Sequence, residues 1–283
     1  MSSPSEPLST RLSDQRYLKD HQYRTADNLQ ARIHLHRDFG TNPYPWQCWV
    51  FDQLKLEPGM RVLEVGCGPG GLWFENAERM PQQTELILAD LSLGMVKTAM
   101  ENIFHHVSQA AQQEIAFHGN IVDVQHIPYP EACFDVVIAN HMLYHAPDID
   151  RSIRELRRVV KPGGRVFTAT NGHGHMRQLS EILEKFSPGY RDGHRSQVRR
   201  YALENAPQLL GVSFRQVETL IYEDHLHVTR VQALMDYIYS LWDAYDPDTP
   251  QVYEQIADQV QRDIDEKGYF LVHKSQGILA ARP

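Results

Sequence analysis

The sequence predicts an α/β protein built on a doubly wound, mostly parallel sheet with helical lid segments. Three observations predict it: short β-rich runs alternate with helical patterns, a glycine cluster follows the first run, and the composition is globular. Its 283 residues, 42% hydrophobic and 23% charged, suffice to bury a core without covalent staples. Strands that alternate with helices are joined by right-handed crossovers and form a parallel sheet covered on both faces.

The elements of this pattern can be assigned in order. The five predicted strands of the alternation are Arg61–Val65, Glu85–Ala89, Ile115–His118, Phe134–Ala139 and Arg165–Ala169. Ser92 and Asp148 are predicted helix N-caps, and a further helix is expected over Gly71–Met80 before Pro81. Beyond Thr170 the pattern predicts helices at 176–186, 201–210, 230–242 and from 250 onward, with strands at 216–222 and 269–280.

Charge and cysteine content narrow the class of partner. The 28 basic and 36 acidic residues give a net charge of −8, which argues against a large phosphate-binding surface and hence against nucleic acid. Three cysteines are too few and too scattered for a disulfide framework or a zinc knuckle. The sequence has no apolar run of membrane-spanning length and no recognisable secretory signal. We therefore expect a cytoplasmic protein without a membrane partner.

The turn after the first predicted strand is the most informative segment. The strand runs into Gly66-Cys67-Gly68-Pro69-Gly70 and then a helix, the geometry with which α/β proteins grip nucleotide-like ligands. Asp90, at the end of the next strand, is placed to accept hydrogen bonds from ribose hydroxyls.

Two ligand classes compete for this turn. Gly66, Gly68 and Gly71 satisfy the dinucleotide pattern G-x-G-x-x-G, a weak signal by itself. Glu64, two residues before the first glycine, instead favours a cationic ligand over a pyrophosphate. S-adenosylmethionine combines a nucleoside with an ammonium and a sulfonium, and is the better match. A nicotinamide-dependent oxidoreductase and a non-catalytic cofactor-binding protein remain the alternatives.

Five motifs in order carry a family resemblance. The segment 56–172 resembles the class I S-adenosylmethionine-dependent methyltransferases, in the small-molecule branch of ubiquinone, menaquinone and natural-product methyltransferases. The matching motifs are Val62–Gly70, Leu88–Ser92, Gly119–Ile121 with Ile127–Tyr129, Phe134–Asn140 and Leu156–Gly164.

The resemblance implies roles for individual residues. Glu64 and the backbone of the glycine turn would hold the methionine end of the cofactor, and Asp90 would hold the ribose. Asn120, where many relatives have Asp, would border the adenine with Ile121, and the Asn140 backbone would face the ammonium. The full set of predicted cofactor residues is Glu64, Gly66, Cys67, Gly68, Gly70, Asp90, Leu91, Asn120, Ile121 and Asn140.

The loop after the fourth strand supplies the predicted chemistry. If the acceptor is a hydroxyl, a histidine near neutral pH can take its proton, so His145 and His141 are the candidate catalytic residues. With 15 histidines in the chain, surface or packing roles remain the alternative. Candidate acceptor-binding residues are Tyr23, Tyr44, Trp46, Tyr144, Asn171 and His173. The His-x-His pairs are not completed by further ligands, so no metal is expected.

The sequence thus predicts methyl transfer from S-adenosylmethionine to an oxygen of a small natural-product-like molecule. Carbon or nitrogen methylation of a quinone-like or other metabolite is the alternative, and the oligomeric state is not predicted. The predicted segments are a tail at 1–14, an N-terminal helical lid at 15–55, the cofactor-binding core at 56–172, an inserted lid at 173–210, and C-terminal elements at 211–283 that complete the core sheet. The arginines between 191 and 200 either meet an anionic group or form a solvated face.

Overall fold

The computed structural model describes residues 27–108, 114–186, 193–241 and 250–283. The strands are β1 Arg61–Val65, β2 Glu85–Asp90, β3 Ala116–Ile121, β4 Phe134–Asn140, β5 Val160–Asn171, β6 Gln216–Ile221, β7 His225–Val228, β8 Phe270–His273 and β9 Gln276–Arg282. The helices are α1 Asp27–Phe39, α2 Trp46–Leu54, α3 Gly71–Phe74, α4 Leu93–His106, α5 Ile149–Val159, α6 Arg177–Phe186, α7 Gly193–Val198, α8 Ala206–Gly211, α9 Val231–Leu241 and α10 Pro250–Lys267.

The main sheet is mostly parallel and has the strand order β3-β2-β1-β4-β5-β9-β6. β1 pairs in parallel with β2 on one side and with β4 on the other, while β9 runs antiparallel to both β5 and β6. The strand order reverses beside β1, and ligands of open α/β sheets bind at the carboxyl ends of the strands at such a point. The fold therefore places the glycine turn at the expected crevice.

Alternate residues of each central strand pack into two different core clusters. Leu63 and Val65 of β1 belong to one cluster, whereas Val62 belongs to the other, and all three are buried. This alternation matches a sheet covered by helices on both faces. It also explains why β1, β2, β4 and β5 could be predicted, because a strand buried on both sides is mostly apolar, whereas β3 lies at the edge of the sheet and is largely exposed.

A second unit packs beside the sheet. β7 and β8 form a two-stranded antiparallel sheet, with His225 opposite His273. Its buried residues join those of α1, α6, α9 and α10 in a third cluster that includes Leu35, Leu234 and Ile256. Of the predicted C-terminal segment 211–283, β6 and β9 thus complete the main sheet, and the remaining elements build this second unit. The lid boundaries stay a prediction.

The local signals for two helices are confirmed. The Ser92 side chain accepts a hydrogen bond from the Met95 N–H at 3.4 Å and starts α4, and Asp148 accepts one from the Arg151 N–H at 2.8 Å and starts α5. Side-chain oxygens at these positions satisfy N–H groups that have no partner within the helix.

Two predicted elements are corrected. The helix expected over Gly71–Met80 is the short α3 followed by a 3₁₀ turn at Ala77–Arg79, since the Asn76 amide donates to the Leu72 carbonyl at 2.8 Å and competes with helical bonding. The single strand expected over 269–280 is two strands in different sheets, β8 and β9, separated by Lys274 and Ser275.

Some predictions fall outside the described residues, namely the tail at 1–14, the start of the N-terminal lid, Tyr23 and Arg191. No helix within the described ranges is both long enough and apolar enough to cross a membrane.

Candidate cofactor and acceptor site

The glycine turn has the backbone conformation that its sequence predicts. Gly66, Gly68 and Gly70 have φ values of +74°, +53° and +81°, which residues with a side chain rarely adopt. The Gly66 and Cys67 N–H groups donate to the Ala89 carbonyl at 2.7 and 3.0 Å, so the turn is fixed to the end of β2. A Cβ atom on Gly66 would lie 2.7 Å from Met142 Cγ, whereas one on Gly68 would meet no atom within 4 Å. The turn is closely packed on one side and open on the other.

The open side of the turn faces a cavity of about 720 Å³. The cavity is bounded by the carboxyl ends of the central strands, by α1, and by the segments around residues 222–224 and 274–276. The predicted site residues that line it are Trp46, Glu64, Gly66, Cys67, Gly68, Asp90, Leu91, Asn140, His141, Tyr144, His145 and Asn171. The structure therefore brings most of the predicted cofactor and acceptor residues into one continuous space.

Glu64 is the buried acid beneath the turn. Its residue is 3% exposed, and its Oε2 accepts a hydrogen bond from the Trp73 indole N–H at 2.5 Å. Burial, aided by the nearby Asp90 and opposed by the Trp73 hydrogen bond, raises the pKa of Glu64 to about 8. A cation bound beside Glu64 would supply the charge that favours its ionised form.

Asp90 links the turn to the second strand. One of its carboxylate oxygens accepts from the Gly68 N–H at 3.1 Å and the other from the Ser92 N–H at 2.9 Å. Burial raises the pKa of Asp90, and these backbone hydrogen bonds work against that shift. Each oxygen retains capacity for a further donor, such as a ribose hydroxyl.

On the predicted adenine side, the residue that lines the cavity is displaced by three positions along the sequence, from Asn120 to Asp123. Asn120 donates to the Tyr129 hydroxyl at 2.5 Å, Ile121 is 55% exposed, and neither lines the cavity. β3 continues to Ile121, beyond its predicted end at His118, so the loop that turns into the cavity starts later. Val122, Asp123 and Val124 line the cavity there, so the carboxylate on this part of the wall is that of Asp123.

Three further predicted residues lie away from the cavity wall. Gly70 packs against α4, where an added Cβ would be 3.1 Å from Ala99 Cβ. Tyr44 is 41% exposed and donates to Asp52. His173 is half-buried beside Glu204, whose carboxylate accepts from the His173 N–H at 2.9 Å.

The two candidate catalytic histidines both reach the cavity from the segment after β4. His141 has a φ of +52°, an uncommon conformation for a residue with a side chain, and its ring lies 5.6 Å from that of Trp46. Burial, together with the positive charge of Lys274, lowers the pKa of His141 to about 4. His145 is 8% exposed, with its ring 4.6 Å from that of Tyr144.

Arg200 fixes the backbone of the segment that carries His141 and His145 through hydrogen bonds. Its guanidinium donates to the carbonyls of Tyr144 and Pro147, each at 2.9 Å, and the Gln197 amide donates to the same Tyr144 carbonyl at 2.5 Å. Of the arginines considered for anion binding, Arg200 thus positions the loop and does not line the cavity.

Sequence reasoning missed the far half of the cavity. His36, His175, Tyr222, Asp224 and Lys274 line it and come from segments far apart in the chain. Lys274 and Asp224 form an ion pair of 2.5 Å whose side chains are each 3% exposed. No local motif marks Tyr222, Asp224 or Lys274. His36 and His175 each belong to a His-x-His pair, and the sequence pointed to neither of them as an acceptor residue.

The charges on the cavity wall divide it into two halves. Among the described lining residues between 64 and 147 are four acids and neither Lys nor Arg; the acids are Glu64, Glu75, Asp90 and Asp123. The rest of the wall carries Arg32, Arg37 and Lys274 against the single acid Asp224. The first half suits a nucleoside with a cationic end and repels a pyrophosphate.

A buried polar atom supports the same ligand. Asn140 Oδ1 is buried without a hydrogen-bond partner among the described residues, at the end of β4 on the cavity wall. A buried acceptor of this kind is costly unless a ligand or water satisfies it, and an ammonium is a suitable donor. Together with the acids and the open turn, it fits S-adenosylmethionine. No three His, Cys, Asp or Glu side chains in the described ranges are grouped as metal ligands.

Comparison with known proteins agrees with this geometry. The sequence model of a family described as "Methyltransferase domain" matches residues 56–233. The ubiquinone/menaquinone biosynthesis C-methyltransferase UbiE of Vibrio campbellii is 27% identical over 146 residues, covering 50% of this chain and 53% of that protein. The chain thus spans about half the length of the curated relatives it matches.

Solved structures share the fold at low identity. Phosphoethanolamine N-methyltransferase 2 of Haemonchus contortus, in complex with S-adenosyl-L-methionine, has a TM-score of 0.56 at 18% identity, covering 95% of this chain and 60% of that one. The [4+2]-cyclase SpnF has a TM-score of 0.55 at 19% identity, covering 94% and 96%. These likenesses establish a Rossmann-like class I methyltransferase fold. The family match extends over more than half of the chain, which therefore belongs to the methyltransferase-domain family.

Proposed function

We propose that this protein transfers a methyl group from S-adenosylmethionine to an oxygen of a small molecule. The observation that carries the proposal is the single cavity in which the glycine turn and Glu64 form one wall and the histidines form another. A cofactor held at the turn and an acceptor held near the histidines would share this space. Such an arrangement places two reactants in contact and removes much of the entropic barrier to transfer.

The cofactor half is assigned by charge and shape. Glu64 and Asn140 would hold the amino-acid end of the cofactor, Asp90 the ribose, and Asp123 with its neighbours the adenine. When bound, S-adenosylmethionine supplies an electrophilic methyl group on a sulfonium. Burial keeps the pKa of the Cys67 thiol well above its ordinary value, so Cys67 would contribute an uncharged thiol to the cavity wall.

His145 is the proposed proton acceptor for a hydroxyl. The pKa of His141 lies near 4, which leaves that imidazole neutral at pH 7 and makes it a weak base. His141 would therefore line and orient the acceptor. Trp46, Tyr144 and Asn171 complete the proposed acceptor wall, and Asn171 presents a buried Oδ1 atom with no partner among the described residues.

Carbon methylation of a quinone-like acceptor is the second candidate. It is favoured by the curated relatives, which are named as C-methyltransferases of ubiquinone and menaquinone biosynthesis. The fold alone cannot choose between reactions, since its structural neighbours include a protein named as a cyclase.

Product analysis tests both candidates. The full-length protein is incubated with S-adenosylmethionine bearing a ¹³C methyl group and a panel of phenols, enols and amines, and products are examined by NMR and mass spectrometry. A labelled methoxy signal supports the proposal, and a labelled methyl on carbon supports the second candidate. Turnover confined to amines would overturn both, and absence of turnover with intact cofactor binding would favour a binding protein.

A further inference from the structure

The half of the cavity far from the glycine turn is built around one buried ammonium group. Lys274 lies between β8 and β9, and its side chain is 3% exposed. Among the described residues, Asp224 is the one hydrogen-bond acceptor for Lys274 Nζ, at 2.5 Å. An ammonium has three N–H donors, so two remain available to a molecule in the cavity.

The Asp224 carboxylate accepts several hydrogen bonds from the surrounding backbone. Its Oδ1 accepts hydrogen bonds from the N–H groups of Thr41, Asn42 and His225, each at 2.9 Å. Although burial opposes it, the hydrogen bonds from Lys274 and the backbone hold the pKa of Asp224 below its usual range. Burial lowers the pKa of Lys274, and the hydrogen bond and charge of Asp224 oppose that shift and favour the ammonium form.

Three histidines surround this charge, and all three are disfavoured as cations. Burial and then Lys274 lower the pKa of His36 to about 3 and that of His141 to about 4. Burial, followed by His36 and Lys274, also lowers the pKa of His175. Burial, the larger cause, disfavours charge of either sign, whereas the positive charge of Lys274 disfavours an added proton on these rings and favours an oxygen that has lost its proton.

The tautomer of His175 is fixed by a backbone group. The Ser275 N–H can only donate, and it points to His175 Nδ1 at 3.2 Å, so Nδ1 accepts. Neutral His175 then carries its proton on Nε2 and offers a hydrogen-bond donor. Beside it, at 5.8 Å between ring centroids, His36 has a buried Nδ1 without a partner among the described residues. A ligand is the natural partner for both edges.

We propose that the acceptor is bound as an oxyanion, with its ionised oxygen held between Lys274 Nζ and His175 Nε2–H. The acceptor class is an acidic oxygen compound, a phenol, an enol or a carboxylic acid, and not an amine. This inference rests on the proposed function and names the substrate class of the same cavity. It concerns how the acceptor is held once His145 has taken its proton, with Lys274 and His175 as its binding residues and Asp224 as the positioning residue for Lys274.

The test is the protonation state of a bound probe. 4-Nitrophenol titrates near neutral pH, and its phenolate absorbs visible light, so the ionised fraction can be read directly. Full-length protein saturated with S-adenosylhomocysteine is titrated with the probe across pH. We expect the phenolate to bind at least about tenfold more tightly than the phenol, which lowers the apparent pKa of the bound probe by at least about one unit. Benzoate should likewise bind at least about tenfold more tightly than benzamide.

Variants separate the ammonium from general packing. The double variant Lys274→Gln/Asp224→Asn retains a hydrogen-bonded neutral pair and should return the probe to its solution pKa. His175→Phe should reduce the shift, whereas Lys267→Gln, at the exposed end of α10, should leave it unchanged. Calorimetry verifies that each variant still binds S-adenosylhomocysteine, so that the cofactor half of the cavity is intact.

The outcomes distinguish this inference from the function on which it rests. An unshifted or raised probe pKa, or 4-nitroaniline bound as tightly as the phenolate, overturns the inference. Absence of probe and benzoate binding to a protein that binds S-adenosylhomocysteine also overturns it and leaves the proposed function standing. A phenol-only or carboxylate-only preference supports it and identifies the acid. Failure to bind S-adenosylhomocysteine would instead contradict the proposed function.

Discussion

The indole N–H of Trp73 donates a 2.5 Å hydrogen bond to Oε2 of Glu64, and both residues are buried under the glycine turn. Burial is the largest cause that raises the pKa of Glu64 to about 8, so we expect this acid to be largely protonated at neutral pH when no cation is bound beside it. A bound ammonium would restore its charge. Cofactor binding and Glu64 ionisation are therefore coupled.

This coupling predicts a pH-dependent affinity. A bound cation lowers the pKa of Glu64 below 8, so binding releases a proton, and affinity for S-adenosylhomocysteine should rise from pH 6 to pH 8. The slope should approach tenfold per pH unit at its steepest. Calorimetry across this range measures it. Glu64→Gln should bind more weakly and without this slope, whereas Glu78→Gln, on the surface, should behave like the wild type.

Glu64→Gln, although it should weaken cofactor binding, should stabilise the ligand-free protein at high pH. The folded-state pKa of Glu64 lies above its ordinary value of 4.5, so the native state holds the proton more tightly than the unfolded state. The contribution of Glu64 to stability is therefore lost as pH rises from about 4.5 towards 8. Glu64→Gln should raise the free energy of unfolding of the ligand-free protein at pH 9, by on the order of a few kcal/mol. If the difference in unfolding free energy between Glu64→Gln and the wild type were the same at pH 4 and pH 9, this account would be contradicted.

The glycine turn offers a matched pair of alanine variants. Gly66→Ala combines a φ of +74° with a Cβ only 2.7 Å from Met142 Cγ, so we expect a loss of stability of about 2–3 kcal/mol. Gly68→Ala has a φ of +53° but open space, so it should lose only about 1 kcal/mol. Denaturant unfolding ranks the stabilities, and calorimetry should show that Gly68→Ala still weakens cofactor binding, because its methyl group enters the cavity.

The corrected adenine side can be tested by a pair of substitutions three residues apart. Asp123→Ala should weaken S-adenosylhomocysteine binding at least about tenfold, because Asp123 lines the cavity. Asn120→Ala should leave the affinity nearly unchanged, since that side chain bonds to Tyr129 outside the cavity. The reverse ranking of the two dissociation constants would restore the sequence-based assignment.

Substitutions of His145 and His141, the two histidines after β4, should affect different kinetic parameters. His145→Ala should lower turnover by about 10²-fold or more while S-adenosylhomocysteine affinity stays within about twofold of wild type. His141→Gln should act mainly on the acceptor KM, because the pKa of His141, near 4, leaves it neutral throughout the working pH range. A pH–rate profile that keeps the same lower limb in His145→Ala would remove His145 from the role of base.

The sequence predicted the sheet and the cofactor turn because both are local. β1 and β4 are buried on two faces and are therefore mostly apolar, and the glycines at 66, 68 and 70 are required by their own φ values. The adenine side was displaced by three residues because β3 runs beyond His118, and a single sequence does not mark where an edge strand ends.

The acceptor half could not be predicted, for a different reason. His36, Asp224 and Lys274 meet only after α1, the 222–224 segment and the β8–β9 connection pack together. The Lys274–Asp224 pair joins residues 50 positions apart, and no spacing rule links them. Its place in the fold depends on the second unit, where the family resemblance is weakest.

The most direct test of the account is a competition experiment on the wild-type protein by calorimetry. S-adenosylhomocysteine should bind with a dissociation constant in the micromolar range or below, and NAD or NADP should neither bind nor displace it, because the turn is lined by acids. Tight binding of a nicotinamide dinucleotide, with no heat from S-adenosylhomocysteine, would contradict the assignment of this cavity.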